Sequence, residues 1–310
     1  MASEPILAGF DLPAGKRSLF SDSKIWFDYL ALTKPEVNFL IAVTTLAGFY
    51  LGCSSAWYDF PFLRSINAVL GTLLVASGTG ALNQYVERHF DAQMRRTSRR
   101  PLAAGRLKPS VVLWFGISLS VLGTVYLAAA ANLLASLLAL GTLLSYLFFY
   151  TPLKRKSSLC TLVGAFSGAM PPLIGWAAAS GQLSFGAWTL YSVLFLWQFP
   201  HFMAIAWMYR EDYGRAGYWV LPSDERARAR LVNWQTLLPL LLLVPVSLLP
   251  ALTSKASVQY YIGAVLLCGA FVYYGARLVL RKSNASARQL LAASIIYLPS
   301  LFVLMIVFRK

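Results

Sequence analysis

Nine stretches of the chain are almost uninterrupted apolar sequence: residues 33–52, 66–86, 110–130, 132–150, 159–179, 184–208, 232–252, 257–277 and 289–308. Each approaches the roughly 20 residues that an α-helix needs to cross about 30 Å of hydrocarbon. The short alternating segments of a membrane β-barrel do not occur. The fold class expected is therefore an all-α integral membrane protein, with about nine transmembrane helices around a central cavity. Residues 29–310 read as one transmembrane domain, preceded by a cytoplasmic segment, 1–28, that reads as flexible.

Composition agrees with that picture. Of 310 residues, 58% are hydrophobic and only 13% charged, about half the charge of an ordinary soluble domain. The net charge of +15 would suggest nucleic acid in a soluble protein. Here the basic residues sit in short loops between apolar runs, which is how membrane proteins load their cytoplasmic face, so no nucleic-acid partner is expected. All of the 27 Lys and Arg except Arg64, Lys255, Arg309 and Lys310 fall on one side of the nine-span arrangement. That bias predicts a cytoplasmic N-terminus and a periplasmic C-terminus. Residues 1–28 carry Glu4, Asp11, Asp22 and Asp28 and have no short apolar core. They resemble neither a cleaved signal nor an acid-poor transit peptide, which points to a bacterial inner membrane. Cys53, Cys160 and Cys268 are far apart with no metal spacing, and read as packing residues.

Two loops, 87–109 and 209–231, are longer than the others and carry mixed charge. Both fall on the cytoplasmic side. At the end of the second span, Asn83, Glu87 and Asp91 recur every four residues, which places them on one helix face. Three oxygen-bearing side chains at a membrane edge suit a hard cation such as Mg2+, which takes one or two carboxylates and completes its shell with water and phosphate. Arg95, Arg96, Arg99 and Arg100 follow at once and can grip phosphate oxygens. A metal-diphosphate fits this juxtaposition. Acids merely paired with neighbouring arginines on a solvated helix end would explain the charges, but not Asn83 one turn deeper, where a polar side chain is expensive.

The pattern Asn83, Glu87, Asp91, Met94, Arg96, Thr97, Arg100, Pro101, Leu102 resembles the first acidic motif of the UbiA-type intramembrane prenyltransferases. The resemblance implies that Asn83, Glu87 and Asp91 hold magnesium on an isoprenoid diphosphate. In the second loop, Tyr209-Arg210-Glu211-Asp212-Tyr213, followed by Ala216-Gly217 and Leu221-Pro222, departs from the superfamily's second pair of aspartates. It resembles the haem-modifying branch instead, as does Gln84, which stands where quinone-forming members often have Asp. By this likeness Asp212, with Glu211 beside it, is the second metal contact, and Arg210 a diphosphate contact. Tyr209 and Tyr213 bond phosphate, face a cation, or form part of an interfacial aromatic belt. Tyr150 and Lys154, closing the fourth span, match the Tyr and Lys that the family sets against diphosphate; positive-inside anchoring is the plainer alternative.

Gly164 to Trp176, with its small residues and Pro171-Pro172, also resembles the haem branch and would shape an apolar cavity. His89 points away from the acidic face. His201, within Gln198-Phe199-Pro200-His201, is an intramembrane histidine and so a candidate for the acceptor pocket, or else a packed, hydrogen-bonded side chain. The branch resemblance implies transfer of a farnesyl group from farnesyl diphosphate to a vinyl group of haem B, with water addition. It also implies association with haem A synthase or terminal-oxidase assembly. The acceptor does not follow from charge spacing, and an aromatic quinone precursor stays open. A transporter would need polar groups at mid-membrane, whereas these acids cluster at one edge. A bis-histidine haem carrier needs a second intramembrane histidine.

Overall fold

A computed structural model describes residues 19–53, 59–253 and 257–308. Helices carry nearly all of them: α1 (Leu19–Leu32), α2 (Pro35–Gly52), α3 (Phe62–Asp91), α4 (Pro109–Ala130), α5 (Leu133–Leu144), α6 (Thr151–Leu153), α7 (Cys160–Gly168), α8 (Met170–Ser180), α9 (Phe185–Met208), α10 (Arg210–Arg215), α11 (Glu225–Thr253), α12 (Val258–Arg281) and α13 (Asn284–Val307). A π-helical stretch, Ser145–Tyr150, joins α5 to α6. Among the described residues, eight helices are long and apolar enough to cross a membrane. They become nine when α1 and α2, bent by 47° across Thr33-Lys34, count as one span. This agrees with the nine apolar runs, although α3 and α11 extend well beyond the runs that announced them.

Local chemistry sets the boundaries. Pro35 and Pro109 occupy first turns, where a missing N–H costs nothing. The Asn132 side chain caps α5 by accepting from the Ala135 N–H at 2.9 Å, and Ser283 and Ser286 form a capping box at α13. Gly181 closes α8 with φ 72°.

Around the bundle, contacts run from α2 through α3 and α4 to α5, and from α7 through α8 to α9, which packs on α11 and α13; α13 also touches α2 and closes the bundle. Two seams draw it tight. A Cβ at Gly175 would collide with the Thr45 carbonyl, and one at Gly48 with the Pro172 carbonyl. The backbones of α2 and α8 therefore meet directly, as the small residues of 164–176 suggested. On the far side, α11 contains Pro239, Pro245 and Pro250. Tyr297 bonds Ser247 Oγ at 2.7 Å, and Tyr260 donates to the Ser247 carbonyl at 2.6 Å, so hydroxyls of α12 and α13 hold α11 between two of its prolines. Large apolar side chains such as Trp114, Val125, Phe148, Leu266 and Ile296 stand exposed on the outer surface, as a lipid-facing surface requires.

Residues 1–18 of the segment expected to be flexible lie outside the described residues, but its remainder is helical. α1 presents Trp26, Phe27 and Leu30 outward, and Asp28 receives a two-pronged ion pair from Arg106 at 2.8–3.0 Å. Gln84 donates to the Leu32 carbonyl at 3.2 Å. These two ties hold α1 against the end of α3 and the segment that follows it.

Candidate functional site

The end of α3 carries the site. Asn83, Glu87 and Asp91 share one face and are buried, with 1%, 5% and 1% of their surface exposed. Buried charges need partners, and each of the three has a basic one. Lys34 donates to Asn83 Oδ1 at 3.0 Å. Lys154 reaches Glu87 Oε1 at 2.8 Å, and Arg100 reaches Asp91 Oδ2 at 2.7 Å. Asn83 also donates to Thr151 Oγ at 3.3 Å. Burial pulls the Lys154 ammonium down, yet the Glu87 carboxylate, with Tyr150 and Tyr146 beside it, raises the group well above the ordinary lysine range.

The segment between α3 and α4 is folded so that its arginine returns to the acid. Thr97 donates its hydroxyl to the Asp91 carbonyl at 2.9 Å, and the Arg100 N–H bonds the Thr97 carbonyl at 2.9 Å. Met94 and Leu102 are buried beneath it. His89 is exposed on the opposite side, as its register required.

The second loop meets the first. Asp212, 8% exposed, accepts from the Arg96 N–H at 3.2 Å and pairs with Arg215. The Arg96 guanidinium lies 4.9 Å from the Tyr209 ring centroid and donates to the Tyr213 hydroxyl at 3.3 Å. Arg95, Arg96, Met208, Tyr209, Glu211 and Asp212 line an open cleft of about 390 Å³. Two candidates do not join the acids. Glu211 is exposed at the cleft's outer edge, with Arg210 at 3.9 Å. Arg210 turns instead to Asn284 Oδ1 and the Trp207 carbonyl, each at 2.8 Å.

Lys154 stands 4.4 Å from the Tyr150 ring centroid, so the Tyr-Lys pair of the fourth span is assembled around Glu87. His201 is separate from this cluster. It stacks on Trp197 at 4.6 Å, and its Nδ1 lies 2.8 Å from Ser294 Oγ. Ser294 gives its single hydroxyl proton to the Leu291 carbonyl at 2.6 Å. His201 Nδ1 must then be the donor, leaving a lone pair on Nε2.

Three site residues escaped sequence reasoning. Lys34 was read as anchoring charge, yet it is the hinge before α2, with φ 54° and ψ 66°, a region few non-glycine residues occupy. Its place immediately before Pro35 was the available signal. Thr151 and Tyr218 carried none.

The donor set suits magnesium accompanied by its diphosphate. Asp91 Oδ1 is buried without a partner, a costly state for a carboxylate oxygen that a cation would relieve. Among the described residues, no three Asp, Glu, His or Cys side chains form a metal cage by themselves.

Known proteins resemble this chain in sequence and fold. The model of the UbiA prenyltransferase family matches residues 38–302. The protoheme IX farnesyltransferase of Solibacter usitatus is 46% identical over 91% of this chain and 98% of its own length. The solved structure of a digeranylgeranylglyceryl phosphate synthase superposes with a TM-score of 0.74 at 18% identity, over 91% of this chain and 98% of that one. A UbiA homologue from Archaeoglobus fulgidus bound to GPP and Mg2+ gives 0.62 at 15% identity, over 90% and 99%.

Proposed function

The chain belongs to the UbiA prenyltransferase family, and from that premise we propose that it transfers a farnesyl group from farnesyl diphosphate to a vinyl group of haem B, with addition of water, giving haem O and diphosphate. The pairing of Asn83, Glu87 and Asp91 with Lys34, Lys154 and Arg100 carries the diphosphate half of this reading. The likeness to protoheme IX farnesyltransferases carries the acceptor half.

Asn83, Glu87, Asp91 and Asp212 would hold magnesium. When bound, the ion offsets the charge that builds on diphosphate as the carbon–oxygen bond breaks. Lys154, Arg100, Lys34, Arg96 and Arg95 bind the phosphate oxygens in the same step, and fixed charges of this kind are usually the main catalytic contribution. Glu87 and Asp91 keep Lys154 and Arg100 in place before the substrate arrives, as Asn83 does Lys34, so little reorganisation remains at the moment of reaction. Tyr150, Tyr209 and Tyr213 turn ring faces and hydroxyls toward the same region and favour a nearby cation. The prenyl tail lies among the apolar helices, away from water. The vinyl carbon attacks farnesyl C1 as diphosphate departs, and water then adds to the porphyrin-side cation and loses a proton. No covalent enzyme intermediate is needed.

His201 belongs to the acceptor pocket in this scheme. Its Nε2 lone pair suits iron, or the proton lost from the adding water. The loop charges support a diphosphate site on the cytoplasmic side of a bacterial inner membrane.

Product mass tests the proposal. Purified protein given haem B, farnesyl diphosphate and Mg2+ should yield haem heavier by farnesyl plus water, and none in chelator. A prenylated quinone precursor, with haem untouched, would overturn the acceptor while leaving the diphosphate chemistry intact.

A further inference from the structure

Tyr218 is buried to 6% exposure, yet its hydroxyl has no hydrogen-bond partner. Its place is set from both ends. Gly217, at φ 68°, ends α10 in the left-handed turn that glycine adopts without strain. The Tyr218 N–H then bonds back to the Tyr213 carbonyl at 2.9 Å, and the next N–H, of Trp219, bonds the Lys154 carbonyl at 2.7 Å. The ring packs on Phe90 of α3 at 5.8 Å and on Tyr213 at 6.0 Å, with Met94 and Ala216 in the same apolar cluster. The Lys154 ammonium is 6.0 Å from the ring centroid. The hydroxyl faces the Glu87 carboxylate without a well-formed hydrogen bond to it, in the combined field of Glu87, Lys154 and Asp91.

A tyrosine held this firmly leaves one donor without a well-formed bond, in a site where Asp91 also leaves one oxygen unpaired. Burying a hydroxyl without a partner is unfavourable, and phenylalanine would fill the same space without that cost. The hydroxyl therefore points to an acceptor that arrives from outside. Beside Lys154, and over the acids that receive the metal, that acceptor is anionic oxygen.

We propose that Tyr218 is a diphosphate-binding residue: its hydroxyl donates to a phosphate oxygen of the prenyl donor and of the departing diphosphate, from a loop that covers the end of α3. The assignment rests on the reading that this site holds diphosphate. It adds a contact from the second loop to the anion, distinct from the metal contact assigned to Asp212.

The variant Tyr218→Phe isolates the hydroxyl, since ring packing is kept. Binding of inorganic diphosphate with Mg2+ should be measured calorimetrically on the full-length protein in nanodiscs, alongside melting without ligand and KM for farnesyl diphosphate. A hydrogen bond to a charged group predicts diphosphate binding weakened by roughly tenfold or more, with KM raised in parallel and the ligand-free melting temperature unchanged. Wild-type affinity in Tyr218→Phe overturns the proposal. So does a lower ligand-free melting temperature with unaltered diphosphate affinity, which would make the hydroxyl structural. Failure of the wild-type protein itself to bind diphosphate with Mg2+ would overturn the underlying reading as well, and is distinguishable because it needs no variant.

Discussion

Lys154 and Glu87, 67 positions apart in the chain, form a buried ion pair at 2.8 Å that joins the end of α3 to the turn after α6. Both side chains are largely withdrawn from water, at 14% and 7% exposure. Removing one member of such a pair strands the other charge, which costs about 3–5 kcal/mol, whereas removing both is often nearly neutral.

Lys154→Met should therefore melt at a markedly lower temperature and lose turnover. Adding Glu87→Gln should restore much of the melting temperature and none of the turnover. Thermal unfolding and product mass on the wild type and the two variants check this. Equal stability of the single and double variants would show that the pair contributes nothing to folding, and that its energy belongs to catalysis alone.

Asp91 offers one oxygen to Arg100 and leaves the other without a partner. Asp91→Asn preserves shape and most of the packing but removes the charge. Turnover should fall about 100- to 1,000-fold, the usual scale for losing one preorganised electrostatic group, while the ligand-free fold persists. Steady-state rates at saturating Mg2+, with circular dichroism as the control, decide it. A rate within a few-fold of wild type would remove Asp91 from the metal set.

Gly175 lies against the Thr45 carbonyl across the α2–α8 seam. Substitution by Val forces the two backbones apart, and overpacking of this kind costs about 1–3 kcal/mol or more. Reduced yield of folded protein and a lower melting temperature should follow. Gly141, where an added Cβ meets nothing within 4 Å, should accept the same change.

His201 donates through Nδ1 to Ser294 and so keeps its Nε2 lone pair. In His201→Ala, haem B binding followed by Soret absorbance should weaken roughly tenfold or more, equivalent to at least about 1.4 kcal/mol, with KM for farnesyl diphosphate unchanged. An unaltered haem titration would return this histidine to a packing role.

The helices and the first acidic face were legible because both rest on periodicity. Apolar runs of bilayer length declare spans, and the four-residue spacing of Asn83, Glu87 and Asp91 declares a shared face whatever the tertiary structure. Arg210 and Arg96 could not be told apart in sequence, since both are arginines beside an acidic motif. Only packing turns Arg210 toward Asn284 on α13 and Arg96 toward Tyr213 and Asp212. Lys34 and Tyr218 were hidden for a related reason. One looks like any basic residue at a helix entrance, the other like any interfacial tyrosine, and each gains meaning from a contact made across about 50 or more positions of chain. α1 was missed because its order comes from Asp28–Arg106 and Gln84, which are ties from elsewhere, and not from its own propensity.

Lys34 is both the bend between α1 and α2 and the side chain that holds Asn83. Joint and ligand holder are thus one residue, and the angle at which α1 rests on its surroundings sets where that ammonium sits. α1 turns Trp26, Phe27 and Leu30 outward, so the bend that orients this apolar face is also the one that sets the partner of Asn83.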